Sequence, residues 1–163
     1  MNAPVNKGEN KVEHKEEKIR KIKNGTVIDH IEGGKAFSVL KILNIDENYE
    51  SIVSVVINAE SETYGKKDIV KIEGRTLTKD ETNKISLLSA RATVNVIADS
   101  KVTEKYKVEV PYEINNLLKC PNPECITNSE LENIETKMFR FSKKPLKFRC
   151  HYCERVFSEL EFK

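Results

Sequence analysis

The chain has 163 residues, 33% of them charged and 38% hydrophobic, which suffices for one medium domain or two small ones, each with a thin core. Its 28 basic and 26 acidic residues leave a formal net charge of +2, so there is no global electrostatic case for nucleic acid or an anionic membrane as partner. No apolar run approaches the roughly 20 residues that a spanning helix needs.

Residues 1 to 16 mix Lys, Glu and Asn around a lone His14 without apolar periodicity, which predicts a disordered tail. From Gly25 the pattern changes. Thr26-Val27-Ile28-Asp29-His30-Ile31 is β-branched and apolar, a strand, and Gly33-Gly34 ends it. Ala36, Phe37, Val39, Leu40 and Leu43 then recur at helical spacing, with Phe37, Leu40 and Leu43 read as core. Ile52 to Ile57 is a continuous apolar run, the mark of a strand central in a sheet or covered on both faces. Ile69 to Ile72 is the next strand, and Asn58 to Asp68 between them is long enough for a wide hairpin loop turning at Gly65.

Thr78-Lys79-Asp80-Glu81 has the Thr-x-x-Glu form of a capping box, and Ile85, Leu87 and Leu88 supply the buried face of a second helix. Thr93 to Ile97 follows as a strand. Val102 to Val110 keeps period two as another. The order strand, helix, strand, strand, helix, strand, plus one more strand, reads as a ferredoxin-like α+β sandwich with both helices on one face of an antiparallel sheet. The opposite face then needs cover, which a pairing partner could provide.

Pro111 interrupts the strand pattern and marks a boundary, after which Ile114, Leu117 and Leu118 form a helical turn or a hinge. Beyond it lie the only four cysteines of the chain, Cys120 and Cys125 as C-x4-C, then Cys150 and Cys153 as C-x2-C. Two such knuckles can close four thiolates around one tetrahedral zinc ion. A pair of disulfides is the alternative, but the N-terminus has no signal-peptide pattern and the spacing within each knuckle is short for an unstrained pair. His151 then falls to a supporting or solvent-facing place. A closed four-thiolate set holds a fold and performs no chemistry, and reduced thiolates without a targeting segment point to the cytoplasm. Strands at Met138 to Phe141 and Leu146 to Cys150 complete a small β domain around the metal. No nucleophile with an adjacent base and no Gly-rich phosphate loop is present, so nothing proposes an enzyme.

One local feature supports a different class of function. Lys137 to Arg149 carries six basic residues and no acidic one, interleaved with Phe139, Phe141 and Phe148, the composition of a zinc ribbon that tracks nucleic acid. Across residues 111 to 163 the balance is nine basic to eight acidic, and alternating phenylalanines serve equally as the core of a tiny sheet.

Four separated motifs carry a family resemblance: Gly25-Thr26-Val27-Ile28-Asp29-His30-Ile31, Gly65 through Glu73, Ala92-Thr93-Val94-Asn95 and Cys120-Pro121-Asn122-Pro123-Glu124-Cys125-Ile126. Their order resembles that in the regulatory chain of aspartate carbamoyltransferase, over about Ile19 to Phe157. The resemblance implies a non-catalytic subunit with a nucleotide-binding allosteric domain over 17–110 and a zinc domain over 111–163 that contacts the catalytic chain. It further implies CTP, ATP and UTP as effectors, a homodimer of regulatory chains, and a dodecamer of six catalytic and six regulatory chains. By the same resemblance, Asp29 and Lys71 contact ribose and base, and His30 and Lys105 lie nearest the phosphates. Ile22, Val27, Asn95, Ile97 and Val102 frame the base, and Ser100 stands where enteric members have a tyrosine.

Overall fold

The computed structural model describes residues 21–163, so the tail expected over 1 to 16 lies outside the described residues. The elements run β1 (Gly25–Glu32), α1 (Ala36–Ile42), β2 (Val53–Ser61), β3 (Gly65–Glu73), α2 (Lys79–Leu88), β4 (Thr93–Ala98), β5 (Lys101–Lys107), β6 (Glu113–Asn115), a 3-10 turn at Ile126–Asn128, β7 (Lys137–Lys143), β8 (Leu146–Cys150) and β9 (Val156–Phe157). The first five strands form one sheet in the order β2-β3-β1-β4-β5 and the last four another, β6-β7-β8-β9. Every pairing is antiparallel. The first sheet is the ferredoxin-like arrangement with β5 added outside β4, as the order of sequence patterns predicts.

Alternation along β1 divides the first sheet into two faces. Thr26, Ile28 and Ile31 are fully buried, as are Val70, Ile72 and Val94 beside them, Ala36, Val39 and Ile85 from the two helices and Leu43 just past α1. Gly25 opens the strand at a φ of 138°, where a Cβ would stand 2.1 Å from the carbonyl oxygen of Ile72, so only glycine fits. Lys35, at the start of α1, offers no side-chain cap. The buried Asp68 of β3 serves instead, accepting from the N–H of Ala36 at 3.0 Å and from that of Asn58, in the β2 bulge, at 2.8 Å. One carboxylate thus satisfies a helix-end donor and a bulge donor together.

The capping box of α2 is present as expected: Thr78 Oγ1 accepts from the N–H of Glu81, and the Glu81 carboxylate accepts from the N–H of Thr78 at 2.8 Å. Glu81 also pairs with Arg75, whose other guanidinium nitrogen donates at 3.0 Å to the carbonyl of Leu43 at the end of α1. Arg75 therefore ties the tail of one helix to the head of the other.

Four expectations give way here. β2 is an edge strand, paired only with β3; Val53 and Val55 pack on the first core while Ile57 is 39% exposed, as is Ile52 just before the strand at 53%. The expected loop over 58–68 is mostly strand, and Glu62, Thr63 and Tyr64 alone make the turn. Phe37 is 68% exposed, pointing off α1 away from the core that takes Ala36 and Val39. β5 ends at Lys107, short of the expected Val110; the N–H of Val108 still reaches the carbonyl of Ala92, one position further along the ladder, and its side chain packs in the first core.

Ile114 belongs to β6, and Leu118 bridges to Phe162, so the segment after Pro111 is extended where a helical turn was one of the two expected forms. Ile114, Leu118, Met138, Phe148, Phe157 and three cysteines form a second core. Leu87 of α2 belongs to this second core although Ile85 belongs to the first. One helix is shared by both.

The Glu81 carboxyl is pushed up by burial, but the bonds from Thr78 and the guanidinium of Arg75 outweigh that and hold it below its ordinary value. A depressed folded-state pKa contributes stability that is present above the unfolded value, near 4.3, and is lost as pH falls through the folded one. Glu81→Gln should therefore destabilise the protein by about 1 kcal/mol near neutral pH. The gap between wild type and variant, read by denaturant titration, should narrow steadily below about pH 4.

Candidate functional site

In the second sheet the four cysteine Sγ atoms all lie within 4.8 Å of one another. Cys120 and Cys153 approach to 3.5 Å, Cys125 and Cys150 to 3.8 Å, and all four are free thiols. A tetrahedral ion with metal–sulfur bonds of about 2.3 Å requires sulfurs about 3.8 Å apart, far longer than a disulfide of about 2.05 Å, so the cluster fits a closed metal cage.

The knuckles are shaped by backbone hydrogen bonds. The N–H of Cys125 donates to Asn122 O at 3.0 Å, and Asn128 Nδ2 clamps the carbonyls of Cys120 and Asn122 at 2.8 and 2.7 Å. In the second knuckle the N–H of Glu154 donates to Cys150 O, and that of Cys150 to Arg155 O, both at 3.0 Å. Thr127 Oγ1 donates to Cys125 Sγ at 3.2 Å, an outer contact that orients the sulfur.

Burial pushes the thiols of Cys120 and Cys150 up. It acts on Cys153 too, but donors from Arg155 and Asn122 and the neighbouring thiols bring that group down to about 7. A cation held between the knuckles offsets the burial of the thiolates. His151 is exposed, as expected.

In the first sheet the residues singled out from the sequence converge on the face without helices. Val27 opposes Lys71 on one side and Asn95 on the other, and Asn95 opposes Lys105, so Lys71, Val27, Asn95 and Lys105 form one cross-strand row. The row before it holds Gly25, Ile97 and Val102, and the row after it Asp29, Thr93 and Lys107. Asn95 Nδ2 reaches the carbonyl of Val27 at 3.3 Å. Ile22 is 5% exposed on the segment entering β1, which is tied to the β4–β5 turn by the N–H of Ser100 on Lys23 O and that of Asp99 on Asn24 Oδ1. Asp99 and Ser100 both take positive φ, 48° and 63°, as a two-residue turn of the primed type demands.

His30 occupies the bulge between Ile28 and Ile31 with a φ of 57°. Its N–H donates to Asp29 Oδ1 at 2.6 Å, and its Nδ1 lies 3.8 Å from Asp29 Oδ2, buried and without a hydrogen-bond partner. Lys67 Nζ stands 3.0 Å from Asp29 Oδ1. Lys67 lies on the same face of β3 as Lys71, two alternations along the strand. Tyr64 and Arg91 also adjoin His30, and no motif announces them because one sits in a turn and the other after a helix.

The basic run from Lys137 to Arg149 is divided by the structure. Phe148 is fully buried, Lys137 pairs with Glu113 at 2.9 Å, and Arg140 Nη1 donates to the carbonyl of Val110, which leaves Phe141, at 60%, as the exposed ring among the three phenylalanines.

Residues 17–109 match the family model described as the allosteric domain of the aspartate carbamoyltransferase regulatory chain, and residues 112–163 match the model of its metal binding domain. The chain belongs to the regulatory chains of aspartate carbamoyltransferase. The regulatory chain of Thermococcus sibiricus is 51% identical over 145 residues, covering 89% of this chain and 94% of that one. The regulatory chain of Methanopyrus kandleri is 47% identical over 142 residues, 87% and 90% of the two chains, and that of Saccharolobus solfataricus 49% over 141, 86% and 88%. The subunit is non-catalytic, its metal-binding domain holds the four-cysteine cage, and membership in this family implies a catalytic-chain partner. Among the described residues no helix is long and apolar enough to cross a membrane.

Because so small a sheet has little core of its own, metal binding is folding energy there. Removing the metal with a strong chelator, or Cys120→Ser, should abolish the ordered signal of the β6–β9 sheet while β1–β5 keeps its hydrogen-exchange protection. Protection retained in β7 and β8 after complete metal loss would show that the cage does not hold the sheet.

Proposed function

We propose that the open face of the first sheet binds nucleotide effectors, CTP, ATP and UTP, and that the bound state is passed to the catalytic chain to control pyrimidine biosynthesis. The observation that carries this reading is the row Lys71, Val27, Asn95, Lys105, flanked by Asp29 and by the apolar Ile97 and Val102. Its parts match the parts of a nucleotide. Apolar side chains suit the base, the Asp29 carboxylate accepts from ribose hydroxyls, and the Lys105 ammonium and His30 imidazole meet phosphate.

Transmission follows the shared helix. α2 places Ile85 in the core beneath the nucleotide face and Leu87 in the core around the metal, and Arg140 bonds the carbonyl of Val110 in the connection between the sheets. We assign residues 17–110 to nucleotide binding and 111–163 to contact with the catalytic chain. Tyr112, Phe139, His151 and Tyr152 form a contiguous ring cluster on the second sheet, with Tyr112 63% and Tyr152 43% exposed, a surface suited to docking. The ion in the cage is Zn2+, one per chain, by the softness and number of its ligands. The assembly expected of the family is a homodimer of regulatory chains within a complex of six catalytic and six regulatory chains in the cytoplasm. A coupling of this kind is worth about 1 to 3 kcal/mol, the difference in nucleotide affinity between two quaternary states.

Calorimetric titration with CTP and cytidine tests the site. Lys105→Ala should weaken CTP about tenfold or more and leave cytidine nearly unchanged, whereas Asp29→Ala should weaken both. CTP affinity unchanged in Lys105→Ala would remove the phosphate end of the site. Copurification with the catalytic chain, followed by activity with and without CTP and ATP, tests the transmission; a chain that assembles but leaves activity indifferent to both would refute it.

A further inference from the structure

We infer that Arg91 is a positioning residue for the phosphate end of the nucleotide site, acting through Tyr64 and the bulged backbone of His30; this rests on the nucleotide reading proposed above. His30 is a non-glycine residue in the left-handed region, at a φ of 57°, a conformation that persists only where its surroundings enforce it. The bulge removes it from the ladder between Ile28 and Ile31, so side chains take its backbone groups: Asp29 accepts its N–H, and Arg91 Nε donates to its carbonyl at 3.3 Å. The imidazole makes no hydrogen bond through its buried Nδ1. Its orientation is set by packing, with the Tyr64 ring edge-on at 6.0 Å.

Arg91 holds that ring as well. Its guanidinium lies over Tyr64 at 4.4 Å from the ring centre, and its Nη2 donates at 2.8 Å to the carbonyl of Lys66, in the strand that leaves the Tyr64 turn. The turn is otherwise closed by short local bonds, Tyr64 N–H to Ser61 Oγ and Lys66 N–H to Tyr64 O. A single planar cation thus spans the β2–β3 turn and the β1 bulge, holding both the ring that backs the imidazole and the carbonyl of the bulged residue. Lysine cannot do the same, since one ammonium cannot place two directed donors and a flat face together.

The test compares Arg91→Ala, Arg91→Lys, Tyr64→Ala and Tyr64→Phe in the full chain, by titration with CTP and with cytidine, and by following the His30 imidazole signal in NMR, assigned by its loss in His30→Gln. Arg91→Ala, Arg91→Lys and Tyr64→Ala should each weaken CTP about tenfold, change cytidine less than about twofold and shift the His30 signal, with thermal unfolding of the first sheet unchanged. Tyr64→Phe keeps the ring and should behave as wild type. Full CTP affinity in Arg91→Lys would mean that charge alone matters and would overturn the positioning role, as would an unmoved His30 signal in Arg91→Ala. Equal losses for CTP and cytidine would make Arg91 a general structural residue and also overturn it. If wild type bound no CTP at all, the nucleotide reading itself would fall, and this inference with it.

Discussion

β1 pairs on both of its edges, with β3 through six positions and with β4 through five, and the side-chain period of two then decides what each residue of the strand can do. Even positions from Thr26 to Ile28 lie under the helices. Odd positions, Val27 and Asp29, lie on the opposite face beside Lys71, Asn95 and, one strand further, Lys105. A slip of one residue would exchange the two sets and place Asp29 in the core. Gly25 and the β1 bulge stand at the two ends of the regular ladder and leave little freedom for such a slip: one admits no side chain and the other is closed by the Asp29 carboxylate on the N–H of His30. Core and candidate site are therefore two consequences of one register.

The second sheet depends on the first through α2. A helix of ten residues cannot face two cores by amphipathicity alone. It does so because its last turn places Ile85 and Leu88 with the first core and Leu87 with the second. The metal cage fixes the far side of that second core through Cys120, Cys125 and Cys150, so a displacement of α2 has a stiff body to push against. Such an arrangement fits the transmission proposed above, and it requires no moving part within either sheet.

Much of this was legible in the sequence because it rests on short-range rules. The Thr78 to Glu81 box, the cysteine spacing and the β-branched run from Thr26 to Ile31 each need only a few neighbouring residues, and each appears where the pattern places it. Apolar content misled where sheet position mattered: Ile52 to Ile57 looks central but sits at an edge, since strand order is a property of the whole chain. Phe37 looks like core because it stands in a helix among core residues, yet it lies on the outward side. The partners of His30 were invisible for a related reason, as Tyr64 and Arg91 are 34 and 61 residues away and meet only through the bulge.

The central claim is that nucleotide binds across β1, β4 and β5 on the face without helices. Backbone NMR shift mapping with CTP tests it most directly. The account predicts perturbations concentrated at Val27, Asp29, His30, Asn95, Ile97 and Lys105, with smaller ones running down α2 to Leu87. Perturbations confined to the second sheet or to the cleft lined by Lys79, Lys107 and Arg140, with β1 and β4 silent, would contradict it.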